Sequence, residues 1–229
     1  MKNARFERDT FIKDKLPNPK RRIEIEIGDE KQPDLFFPQF KTKHWDNECN
    51  FSIRLKDDDY ADGVMTQNGD KVEWSRGKRK AIMYEVDGYE DGGFEFEVEL
   101  LEKPASNVLE FTIQTKGLNL YYQPELTQEE LDNGDDRPGD VVGSYAVYHS
   151  SKKNNLLGGI EYRTGKAFHI YRPFVIDANG TKEWCELSVD EINGLLRVIV
   201  PQKFLDDAVY PVRVDPTFGY TTLGATDLS

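Results

Sequence analysis

Phe94-Glu-Phe-Glu-Val-Glu-Leu100 carries the clearest strand signal in the chain. Apolar side chains at 94, 96, 98 and 100 alternate with Glu95, Glu97 and Glu99. A period of two is the repeat of a β-strand, whose successive side chains leave on opposite faces. Such a stretch is expected to be a half-buried antiparallel strand, with one face in a core and the glutamate face in water. The same period recurs on either side of it, in Ile23-Glu-Ile-Glu-Ile27, in residues 49–55 (CNFSIRL), 71–74 (KVEW) and 81–86 (AIMYEV). Between these runs Asn68-Gly69, Asp87-Gly88 and Gly92-Gly93 supply the positive φ that tight connections require.

A second block continues the pattern through residues 108–122, 141–148, 160–177, 196–201 and 210–216. Helical signals are few. Thr127-Gln-Glu-Glu130 has the form of a capping box, and Ser188-Val-Asp-Glu-Ile192 is a weaker one-turn candidate. The expected fold is therefore all-β: an antiparallel β-sandwich, jelly-roll or immunoglobulin-like, as one unit or as two packed subdomains, with at most one or two short helices. Pro17 and Pro19 exclude a helix from the leader, so residues 1–22 are expected to form an extended N-terminal arm. Residues 23–104 and 105–229 would be the two β subdomains, the break falling near Glu102-Lys-Pro-Ala-Ser106.

Composition narrows the functional classes. The 229 residues include 13 Phe, 11 Tyr and 3 Trp, an apolar supply that disordered chains lack. No stretch approaches the roughly 18 uninterrupted apolar residues of a membrane span, and the first 22 residues lack a signal peptide's apolar middle, so a soluble chain is expected. Residues 1–22 hold eight cationic against three anionic side chains, a net of +5, which leaves −17 on the rest of a chain whose total is −12. An acidic body repels phosphate backbones, which disfavours nucleic acid as a partner, whereas the basic arm suits an acidic neighbour. Cys49 and Cys185 form no CxxC pair; each is expected to be a free, buried thiol, with a long-range disulfide as the alternative.

Candidate chemistry is sparse. Asp57-Asp-Asp-Tyr-Ala-Asp-Gly63 has the look of a calcium loop, but with Gly63 at position 6 the bidentate twelfth position falls on Gly69, so the EF-hand pattern fails. Asn133–Asp136 and Asp177–Gly180 are read in the same way, as acidic turns. His44, His149 and His169 lack HxH or HExxH spacing, and His169, among bulky neighbours, is expected to be a core-rim histidine with a satisfied ring nitrogen. No GxSxG, GxxxxGK[ST] or GxGxxG motif is present. No cofactor, metal ligand or catalytic residue is assigned. Glycoside hydrolysis is the enzyme class that composition leaves open, because two suitably spaced carboxylates suffice and 42 Asp and Glu are available. Trp45, Trp74, Tyr121, Tyr122 and Trp184 are the aromatics that would stack on a sugar in that reading, or in a non-catalytic carbohydrate-binding or adhesive one.

The last third carries a more specific signal. Tyr210-Pro-Val-Arg-Val-Asp-Pro-Thr217, preceded by Pro201-x-x-Phe-Leu and followed by Phe218-Gly-Tyr-Thr-Thr-Leu-Gly224, resembles the β-domain ending of uncharacterised phage structural proteins and of Rhs-like and wall-associated bacterial surface proteins. The resemblance covers about residues 141–226 and implies a non-enzymatic virion protein, a head decoration, minor capsid or tail-associated subunit. It implies assembly in the host cytoplasm into particles, or a place on a cell surface, with other virion subunits or further copies of the chain as partners. In that role Phe6, Phe11, Ile12 and Leu16 would anchor the arm, with Arg21 and Arg22 adding charge. Within the motif, Val212 and Val214 are expected to point inward, Asp215 to set a turn, and Pro216 to end the strand.

Overall fold

The computed structural model describes residues 6–8, 11–15, 23–89, 92–152, 156–161 and 165–220. Its strands are, in chain order, β1 (Phe6–Arg8), β2 (Phe11–Lys15), β3 (Glu24–Gly28), β4 (Gln39–His44), β5 (Cys49–Leu55), β6 (Val64–Asn68), β7 (Lys71–Arg76), β8 (Arg79–Val86), β9 (Gly93–Leu100), β10 (Val108–Lys116) and β11 (Leu118–Gln123). After helix α1 (Gln128–Asp132) come β12 (Ser144–His149), β13 (Leu156–Leu157), β14 (Ile160–Glu161), β15 (Lys166–Ile170), β16 (Phe174–Ile176), β17 (Lys182–Trp184), β18 (Glu186–Asp190) and β19 (Leu195–Ile199). Helix α2 (Gln202–Asp207), β20 (Val212–Asp215) and β21 (Thr217–Gly219) follow.

The fold is all-β and antiparallel, as the alternation predicts. One sheet runs β1-β2-β3-β4-β5-β10-β19-β18. The larger one has β9 near its centre, with β8, β7 and β6 on one side and the composite strand β20–β21 on the other. Beyond that strand lie β15 and β16, then β12 and β17, with β11 outside β12. Aromatic rings from the two sheets meet between them: Phe40 of β4 stacks on Phe94 of β9 at 3.6 Å, and Phe51 of β5 lies 5.1 Å from Phe168 of β15. Phe96 meets Phe111 edge-on at 5.4 Å. The sheets therefore face each other across one core, a sandwich in which each buried aromatic contributes roughly 1.5–3 kcal/mol of apolar burial.

That core includes residues from both halves of the sequence. β5 pairs with β10, and β9 pairs with β20 and β21, so both sheets draw strands from either side of position 104/105. Residues 6–8 and 11–15 of the N-terminal arm are laid down as strands, with β2 pairing β3 so that Lys13 stands opposite Glu26 and Lys15 opposite Glu24. Phe6, Phe11 and Ile12 lie in these strands; Leu16, Arg21 and Arg22 lie outside the described residues.

Local details follow sequence chemistry in several places. Thr127 caps α1 and Glu130 bonds back to it, completing the capping box. Val212 and Val214 are fully buried. Cys49 and Cys185 are buried free thiols, and burial, its largest cause, raises both, Cys49 to about 11 and Cys185 to about 12. Trp45, Asp46 and Asn47 turn β4 into β5 with φ of 52°, 55° and 66°, a run of left-handed backbone held by Lys116 Nζ donating to the Asn47 carbonyl at 2.7 Å.

One local helix expectation is corrected. Ser188–Asp190 belongs to β18 and not to a helix, because it pairs with β19 through an unbroken register. The helix near the C-terminus is α2, whose Phe204 and Leu205 are buried against the core. Pro216 ends β20, as expected, and pairing resumes beyond it in the same register along β9, with Val214 opposite Val98 and Thr217 opposite Glu95.

Candidate functional site

The outer face of the larger sheet holds a buried polar cluster where β8, β9 and β20–β21 run side by side. Because Phe94 and Phe96 face the core, alternation turns Glu95 and Glu97 to the other face. That face is not wet: Glu95 is 9% exposed and Glu97 3%. The expectation of a solvated glutamate face fails on β9 because strands flank it on both sides and supply covering side chains, Tyr84 from β8 and Arg213, Asp215 and Thr217 from β20–β21.

Each polar group has a defined partner. Tyr84 donates its hydroxyl to Glu97 Oε1 at 2.6 Å, and Arg213 Nε lies 3.7 Å from the same oxygen. Thr217 Oγ1 sits 2.9 Å from both oxygens of Glu95, to which it donates. Asp215, expected as a turn-setting residue, is instead a buried strand residue in hydrogen-bonding contact with Glu95. Two desolvated carboxylates in contact do not both ionise. Burial foremost, then the hydrogen bond to Asp215 and its charge, push Glu95 up to about 10, so that Glu95 keeps its proton and donates it to Asp215. Asp215 Oδ1 is buried without a hydrogen-bond partner among the described residues.

Beside the cluster, Tyr89 and Tyr171 stack at 5.2 Å over a floor of two glycines. A Cβ at Gly219 would lie 2.6 Å from the Tyr89 ring and 2.7 Å from that of Tyr171, and one at Gly93 would lie 2.6 Å from Tyr89. Only glycine permits this approach. Gly219→Ala is expected to displace both rings and cost about 1–3 kcal/mol in urea denaturation, with a changed near-ultraviolet tyrosine signal; unchanged stability would show that the rings move aside freely. Next to Tyr171, His169 shares a 2.5 Å hydrogen bond with Ser144 Oγ. Burial, then the charge of Lys166, push His169 down to about 3, so it is neutral near pH 7. Ser144 is fully buried, and the pair satisfies two interior polar groups, as expected for a core-rim histidine.

Comparison of the chain with protein-family models, with curated proteins and with solved structures finds no match. The chemistry of the site therefore rests on its geometry. Canonical glycoside hydrolysis separates its two carboxyl groups by about 5–5.5 Å, or by about 6.5–9.5 Å in inverting enzymes. Glu95, pushed up to about 10 by burial and then by its hydrogen bond to Asp215, lies within hydrogen-bonding reach of that carboxylate, an arrangement suited to holding β9 and β20 together.

The aromatics singled out as sugar platforms are scattered. Trp74 is fully buried and Trp45 is 6% exposed, which removes both from the stacking set because neither presents a ring face. Tyr121 packs edge-on against Tyr148 on β12. Tyr122 is 51% exposed and leans on Tyr145. Trp184 is 38% exposed, but Arg172 and Lys182 lie 5.5 and 5.9 Å from its ring centre, and Lys182 Nζ sits 3.3 Å over Phe174. Trp184 thus carries cation–π contacts from both side chains.

The acidic turns are likewise engaged. Asp57 is held by Arg76 at 2.5 Å and by Arg79. Burial alone would raise Asp57, but the Asp59 backbone N–H and the two guanidinium groups bring it below its ordinary value. Asp177 accepts the backbone N–H groups of Asn179, Thr181 and Val209. Among the described residues no group of three His, Cys, Asp or Glu is placed to hold a metal ion. Glu95, Glu97, Asp215 and Tyr84 escaped sequence reasoning because each has an ordinary solvent-facing or turn-like signature on its own, and only the pairing of distant strands gathers them.

Proposed function

We propose that the chain is a non-enzymatic structural β-module of a virus particle, docking on neighbouring subunits through its N-terminal strands and its sheet edges. The observation that carries this reading is the pair of open sheets: among the described residues neither closes into a barrel, and each ends in strands that pair with one neighbouring strand only. Such edges are templates for pairing with another chain. The resemblance of residues 210–224 to phage structural proteins supports the same role, and so does a polar cluster whose groups bond to one another.

Mass spectrometry of purified particles, with copy number measured against the major shell protein, tests it. Stoichiometric abundance is expected. Deleting residues 1–22 removes β1 and β2, uncovers the β3 edge and takes away Lys13 and Lys15 from opposite Glu26 and Glu24; it should abolish incorporation while the body stays folded. Normal incorporation of the deletion variant overturns the anchoring role. Absence from particles, together with glycan binding lost on Trp184→Ala, overturns the structural reading in favour of an adhesive one.

A further inference from the structure

We infer that β6 is a self-association edge, through which two copies of the chain join their larger sheets across a two-fold axis. This rests on the reading of sheet edges as contact surfaces and specifies the edge and the partner. β6, Val64-Met-Thr-Gln-Asn68, bonds to β7 alone among the described strands. All but Met65 of its residues are exposed, Val64 by 61%.

Proteins protect such edges with charged side chains, prolines or bulges. β6 has none of the three. Its five residues are uncharged in a chain that is 31% charged, it contains no proline, and its register with β7 is unbroken from Val64 opposite Ser75 to Asn68 opposite Lys71. Other outer strands are defended: β1 carries Glu7 and Arg8, β17 carries Lys182 and Glu183, and β18 carries Glu186 and Asp190. β11 is also uncharged, but both of its end residues are buried, which shortens its open stretch.

Charge and symmetry select a second copy as the occupant. A chain of net charge −12 repels itself wherever acidic surfaces meet, so self-contact favours a neutral strand. Antiparallel pairing of β6 with itself centres on Thr66 opposite Thr66 and places Met65 opposite Gln67 and Val64 opposite Asn68. Every opposed pair is neutral, and the central one is a favourable threonine pair. This is the isologous geometry of a closed dimer. The same register brings Asp62 towards Asp70 of the second copy just outside the paired stretch, so association should strengthen as salt screens that repulsion.

Sedimentation velocity of the full chain across a concentration series tests the inference. The wild type is expected to show a monomer–dimer equilibrium that shifts towards dimer with added salt. Thr66→Lys and Thr66→Glu each place like charges at the two-fold axis and should each weaken dimerisation about tenfold or more. An equimolar mixture of the two variants should restore it, because the introduced lysine then meets the introduced glutamate. Thr66 is exposed, and far-ultraviolet circular dichroism checks that both variants keep the fold. A wild type that stays monomeric throughout, a dimer indifferent to both variants, or a mixture that fails to recover overturns the inference. Those outcomes leave the particle role standing, whereas absence from particles would sink that role and leave the β6 dimer untouched.

Discussion

Replacing Glu95 with glutamine will abolish a loss of stability that the wild-type protein shows as pH rises from about 6.5 to 8.5. Glu95 has its folded-state pKa raised from 4.5 to about 10, by burial first and by Asp215 second. Over that interval the folded state holds a proton that the unfolded state has released. Stability therefore falls with rising pH, by up to about 1.4 kcal/mol per unit for one proton, or about 2–3 kcal/mol across the window. The contribution is full below the unfolded value and is lost as pH climbs towards the folded one.

In this window Glu95 dominates: Cys49 and Cys185, also raised by burial, add a smaller loss of the same sign that begins only near its upper end. His169, pushed down to about 3 by its burial, has the opposite sign: its neutral folded form loses stability as pH falls below the unfolded value near 6.5. The other titratable and charged groups around Glu95 are Asp215, Glu97, Tyr84, Tyr89 and Arg213, and the two tyrosines are held protonated by burial throughout this range. In Glu95→Gln the carboxamide N–H donates to Asp215 as the protonated acid does, so the variant is expected to match the wild type near pH 6.5 and to stay level above it. Urea midpoints at three pH values measure the slope. An unchanged slope in the variant would show that the shared proton does not reside on this pair.

Phe94→Ala is the second large effect. Phe94 is fully buried and stacks face to face on Phe40 at 3.6 Å with an interplanar angle of 8°, linking β9 of one sheet to β4 of the other. Truncation removes apolar burial and leaves a void between two sheets whose backbones are fixed by their own ladders, so collapse around it is limited. A loss of about 3–5 kcal/mol is expected, measured as a lowered urea midpoint with an unchanged denaturant slope. A loss under about 1 kcal/mol would mean that the sheets close over the gap and that the ring stack is not a principal tie between them.

Much of the fold was legible because alternation is a local property. The apolar phase of residues 94–100 fixed which side chains of β9 enter the core, and the same held for Ile23, Ile25 and Ile27 and for Val212 and Val214. The capping box at Thr127 was visible because all of its atoms lie within four residues. What failed was the nature of the second face. Period two says that Glu95 and Glu97 point away from Phe94 and Phe96, but it cannot say whether water or other strands await them. Trp45 and Trp74 illustrate the same limit, since an aromatic at strand spacing has one signature whether its ring is buried or offered to a ligand.

Local chemistry alone specifies antiparallel strands with defined inward faces, interrupted by two short helices at most. That residues 84, 95, 97, 213, 215 and 217 meet, and that Glu95 is pushed towards its protonated form among them, follows from the pairing of distant strands. The physical reason is that strand phase arises from bonds between chain neighbours, whereas a buried proton is set by desolvation and by a second carboxylate 120 residues away along the chain, which no local pattern encodes.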